Sequence, residues 1–141
     1  MDVVLNQDVR KFMADTEKFK QTLENLESDQ VVWAREREEK DLKKIIECVN
    51  QLASDVGTMM GDCVCLTNQT ECKDVRVDLH HAFRCLNDLF EDIKRVGTEL
   101  ESSFIHRGKL DQLEIDWGKF SKTVGQIQRH LQGDENRVKR P

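Results

Sequence analysis

Tyrosine is absent from this chain, and proline occurs once, at Pro141. A sequence with no proline before its last residue contains nothing that would kink or end a helix from within. Aromatic residues make up 6% of the 141 positions, which argues against the stacking platform that single-stranded nucleic acids use. Positive charge is also short. The 22 Lys and Arg face 27 Asp and Glu, and the formal charge of -5 has the wrong sign for a phosphate-binding face. No uncharged run approaches the roughly 18 residues of a membrane-spanning helix. Neither phosphate-cradling glycine motif, G-x-x-x-x-G-K-[ST] or G-x-G-x-x-G, is present. The opening MDVVLNQDVRKF lacks a basic-then-apolar secretory pattern, so a reducing, cytoplasmic setting is expected. There, five cysteines fit free thiols better than a closed disulfide set.

What the chain does contain is 35% charged and 38% hydrophobic residues, sorted into four apolar tracts. The first is Leu5, Val9, Phe12, Thr16, Phe19, Leu23, Leu26, Gln30 and Trp33. Leu42, Ile45, Val49, Leu52, Val56 and Met59 form the second. The third runs from Val75 through Leu79, Ala82, Leu86, Leu89, Ile93 and Val96 to Leu100, widened by Phe83, Phe90 and Phe104. Leu110, Leu113, Trp117, Phe120, Val124, Ile127 and Leu131 make the fourth. Alternating steps of three and four keep side chains on one helical face, so each tract is a packing seam. No segment alternates with period two, and no sheet is expected.

The stretch GDCVCLTNQTEC, residues 61 to 72, carries Gly, Asp, Asn and Thr and reads as a connector. Gly108, in FIHRGKLD, reads as a short turn between antiparallel neighbours. After Leu131 the residues are polar, and 134–141 is expected to be a tail. The junction between tracts one and two has two readings. Nine residues separate Trp33 from Leu42, about 900° of helix, so the second stripe emerges on the opposite face. WAREREEKDLKK contains no breaker, which predicts one continuous rod with a salt-bridged, exposed face. The other reading places a turn near Ser28-Asp29 and gives a four-helix up-down bundle. Continuity is the expectation. It makes residues 1–30 an N-terminal helical extension (the first bundle helix in the alternative) and 31–133 an antiparallel three-helix bundle.

From about residue 31 the tracts resemble a spectrin repeat. Trp33 stands in VVWAREREEKDL and Trp117 in LDQLEIDWGKFSKTVGQIQRHL. Leu113, Trp117, Phe120, Arg129 and Leu131 are similar to that family's third-helix pattern, and Gly97 and Leu100 to the end of its middle helix. The resemblance implies a three-helix unit in a scaffold, cytoskeletal or organelle-anchoring adaptor.

Sites for chemistry are thin. Cys63, Cys65, Cys72, His81 and Cys85 have zinc-ligand donors, but Cys-x-Cys followed by six residues is not a paired knuckle, so no metal is expected. Cys48, beside Val49, reads as a small buried hydrophobe. The sequon at Asn68 reads as a chance match, and the acidic pairs Glu38-Glu39 and Glu91-Asp92 as solvated helix faces. No catalytic residue, cofactor, small-molecule substrate or nucleic acid is expected. The continuous-rod reading does leave Leu5, Val9, Phe12, Phe19, Leu23 and Leu26 facing away from the bundle. A row of that size is not left in water, so a partner's helix or a second copy should cover it. The sequence thus predicts an all-α, non-enzymatic interaction module. A helical subunit of a membrane-trafficking or tethering complex is an alternative. So is a regulatory four-helix bundle that exposes an apolar seam.

Overall fold

The computed structural model describes the backbone of residues 3–36, 38–100 and 107–139, and the side chains of 7–36, 38–99 and 110–131. Among the described residues four helices follow one another: α1 (Val3–Glu36), α2 (Glu39–Gln69), α3 (Lys73–Leu100) and α4 (Arg107–Lys139). No strand occurs among the described residues. α1 packs along α2, α2 along α3, and α3 along α4, the order of an up-down-up-down bundle. The bundle has four helices where the resemblance implied three. Trp33 lies near the end of α1 and Trp117 on α4, so the reversal separates Trp33 from the helix that the resemblance assigned it.

The continuous rod is overturned. α1 ends at Glu36 and α2 begins at Glu39, after Glu38 in extended conformation at φ -88°, ψ 143°. Glu38 makes no side-chain cap, but Glu39 and Asp41 place negative charge in the first turn of α2, where the helix dipole favours it. Magnitudes explain why a breaker is unnecessary. Interrupting a helix forfeits about four backbone hydrogen bonds at roughly 1 kcal/mol net each. Folding back buries Phe12, Phe19 and Leu26 completely and Leu23 to 4% exposure. Each such side chain contributes about 1.5–3 kcal/mol. Burial wins. The half-turn change of phase between the two stripes is what lets both helices face one core.

The expected connector at 61–72 is also corrected. α2 runs through it to Gln69, leaving residues 70–72 as the link to α3. The stripe continues in the same rhythm, Val56, Met59, Cys63 and Leu66, all buried. Cys63 serves as a small apolar residue there, and Thr70 closes the end with its hydroxyl accepting from the Cys72 N–H at 3.3 Å. Gly108 falls in the first turn of α4, while residues 101–106, including Phe104, lie outside the described residues, as do the side chains of Leu5 and Leu100. The polar tail expected at 134–141 is helical as far as Lys139. No helix among the described residues is long and apolar enough to cross a membrane.

Candidate interaction surfaces

Of the six residues expected to hold a partner, Phe12, Phe19, Leu23 and Leu26 are sealed inside their own chain, and Val9 packs against the same core. They cannot be a free surface in this state, because the covering they need comes from α2 and α4. Thr16, the hydroxyl within the first tract, donates to the Phe12 carbonyl of its own helix at 2.9 Å.

The covering is uneven. Each of the three sequential helix pairs brings backbone close to backbone, but among the described residues no α1 Cα comes within 8 Å of an α4 Cα. Aromatic rings fill the gap. Phe19 stacks on Trp117 at 4.9 Å, Phe12 meets Phe120 edge-on at 6.2 Å, and Trp117 lies 5.7 Å from Phe120. Such pairs contribute about 0.5–1.5 kcal/mol beyond their area, yet the rings also act as spacers between the helices. The α1–α4 seam is closed by side chains alone.

A second feature laces the hairpins together. Along α1–α2 the Gln69 amide donates to Asp8, Asp62 hydrogen-bonds Asp15, and the Cys48 thiol donates to Asp29 at 3.5 Å. Steps of seven along α1 are answered by steps of seven in reverse along α2, the heptad register of an antiparallel pair. Lysines sit over this file: Lys11 lies 2.8 Å from both Asp15 and Asp62, and Lys18 lies 3.5 Å from Asp55. On α3–α4 the same spacing pairs Asp78 with His130, Cys85 with Thr123, and Asp92 with Asp116. Asp92, expected on a solvated face, is instead 3% exposed. The sequence reading missed both ladders. Their signal was legible as residues seven or fourteen apart on the flanks of the first three stripes: Asp8, Asp15 and Asp29; Cys48, Asp55 and Asp62; Asp78, Cys85 and Asp92.

Three rungs set carboxyl against carboxyl. Burial, then the hydrogen bond with Asp15, pushes Asp62 up to about 6 despite Lys11. Burial and the bond with Asp116 take Asp92 to about 7, against the opposing charge of Arg95. Across the α1–α4 seam, burial and Glu114 raise Glu27 to about 7. Burial also works against Asp15 and Asp116, but the hydrogen bonds they accept hold both below the usual carboxylate range. A proton shared between two acids explains the split, because two like charges at contact cannot both ionise freely.

The zinc-type donors do not converge. Cys63 and Cys85 are buried, Cys65 is exposed, and Cys72 is half-buried at the α2–α3 link. His81 reaches only its helical neighbour Cys85, at 3.9 Å. Burial pushes the Cys63 thiol up to about 12, and burial with Asp29 takes Cys48 to about 11, the opposite of an activated nucleophile. The one described convergence of possible ligands is Glu36, Glu38 and Asp41, whose oxygens lie within 4.8 Å of one another. The Lys40 ammonium, 3.1 Å from Glu38, already supplies positive charge there.

A separate face lies on the outside of α3. Lys73, Arg76, His80 and Arg84 recur at steps of three and four, and a groove of about 570 Å³ runs along them between Thr67 and Gln126. No family model, curated protein or solved structure matches this chain.

Proposed function

We propose that the protein is a non-enzymatic helical interaction module, a regulated four-helix bundle whose α1–α4 seam opens to engage a partner's helix. The observation that carries the reading is that α1 meets α4 through side chains alone, while every other adjacent pair is backbone-close. Opening there exposes the stripe of Phe12, Phe19, Leu23 and Leu26, which then acts as the partner-binding row. The ionised Glu27–Glu114 pair favours opening, and Phe19 on Trp117 opposes it. An organelle-anchoring or cytoskeletal adaptor and a tethering-complex subunit are both uses of such a contact. A spectrin-like scaffold is a narrower form of the proposal, resting on Trp33, Trp117 and the pattern from Leu113 to Leu131.

The test uses the chain's own first helix as a probe. A labelled peptide of residues 3–36 should enter the full-length bundle in place of α1, faster at pH 8 than at pH 5. The same peptide with Phe12→Asp and Phe19→Asp should not bind. Failure of the native peptide to enter at either pH, or equal binding of both peptides, rejects the opening seam.

A further inference from the structure

We propose that the outer face of α3 is a docking site for an acidic amphipathic helix of a partner protein. This surface is distinct from the α1–α4 seam and needs no opening of the bundle. It begins with helical arithmetic. Lys73 to Arg84 covers about three turns, roughly 16 Å of axis, so one stripe of α3 presents positive charge along its length. Arg76 is held at the groove: its Nε donates to the Thr70 carbonyl at 2.8 Å. Lys73 and Arg84 line the same groove, and His80 and His81 stand between them. Of the nearby acids, Asp78 lines the groove but is engaged with His130, while Glu71, Asp74 and Asp88 do not line it.

The centre of the face is apolar. Val77 is 61% exposed and Val64, across the α2–α3 groove, 50% exposed. Val77 lines the cationic groove, and beside Val64 a second hollow of about 200 Å³ is floored by Leu79 and Cys63 and walled by Phe83 and His80, the last shared with that groove. An apolar strip with a cationic rim takes a helix that carries apolar residues at i, i+3, i+4 and i+7 and carboxylates beside them. Charge chooses the partner. The stripe is positive within a chain that carries -5 in total, so its local charge is complementary to an acidic segment. A single small anion would use one end of the stripe and leave both valines in water.

The experiment titrates the isotope-labelled full chain with a synthetic helix of leucines at i, i+3, i+4 and i+7 flanked by glutamates. A scrambled peptide of equal composition, orthophosphate and vesicles of anionic lipid are the comparisons. Amide shifts centred on residues 64–84, with binding that weakens as salt rises, are expected from the helix alone. Lys73→Glu with Arg84→Glu should weaken it about tenfold or more, and Val77→Ser should weaken it with charge unchanged. These residues are exposed, so both variants should melt like the parent. Entry of the residue 3–36 peptide at the α1–α4 seam should persist in both variants, which separates this site from that one. The proposal is overturned by equal binding of the scrambled peptide, by shifts centred on α1, or by no binding at millimolar peptide. Stronger engagement of vesicles or orthophosphate at the same residues overturns it as well, and so does self-association through this face.

Discussion

The α2–α3 and α1–α4 contacts are both antiparallel and both buried, yet they are built differently. α2 and α3 are joined through residues 70–72 and lie close enough that a Cβ added at Gly97 would meet Val49 at 3.8 Å. Small residues bring backbones together there. α1 and α4 are not consecutive elements, and rings from Phe12, Phe19, Trp117 and Phe120 hold them apart. Side-chain size thus sets helix spacing, and spacing decides which seam gives way first. A bundle sealed by a few large side chains is closed by few interactions, each of consequence.

The sharpest way to break this comparison is Phe120→Ala, which removes the contacts to both Phe12 and Trp117. The expected loss is about 3–5 kcal/mol in denaturant unfolding. Amides of α1 should exchange first, and equal deprotection of α2 and α3 would mean that the seams do not differ.

Next in size is the dependence on pH. Asp62, Asp92 and Glu27 titrate in the folded chain at about 6, 7 and 7, above the unfolded carboxylate range. The folded state then binds more protons than the unfolded one, so stability should rise as pH falls from 8 to about 5. Below about 4 the trend reverses, because Asp15 and Asp116 are held low and the unfolded chain takes up the extra protons. The charged groups around these pairs are Lys11 and Lys18 on the first hairpin, Asp88, Arg95 and Lys119 on the second, and Glu24 beside Glu27. Melting curves between pH 4 and 8 should therefore peak near the acidic end. Asp62→Asn combined with Asp92→Asn should flatten the profile, and a wild-type maximum near pH 7 would contradict the shared-proton rungs.

Thiol labelling separates the seams at smaller scale. Cys65 is exposed and should alkylate at once, while Cys63, buried beside α3, should react only on unfolding. Rapid labelling of Cys63 would show that the α2–α3 side also opens. Smallest is Gly61→Ala. An added Cβ meets nothing within 4 Å on this helical residue, so a gain of about 0.5–1 kcal/mol is expected in chemical unfolding.

Much of the core was readable from periodicity. Phe12, Leu52, Leu86 and Phe120 sit at stripe positions and are fully buried. Cys63 and Leu66 continued the second stripe by the same steps, but the cap-forming residues around them suggested a loop. Helix propensity and burial outweighed those local preferences. The ladders were present as acids seven apart, yet a single helix cannot show that its acids face other acids. The basic face of α3 escaped notice because its residues are separated by acids in sequence and joined only on the helix surface.

The sequence by itself determined four amphipathic stripes at helical spacing, because such a stripe and the absence of internal proline are local facts. Only the tertiary structure decided that the chain reverses between α1 and α2, that the first stripe is covered by its own chain, and which carboxyls lie against one another. Those outcomes depend on the balance between interrupting a helix and burying Phe12, Phe19 and Leu26, and on distances between helices remote in sequence.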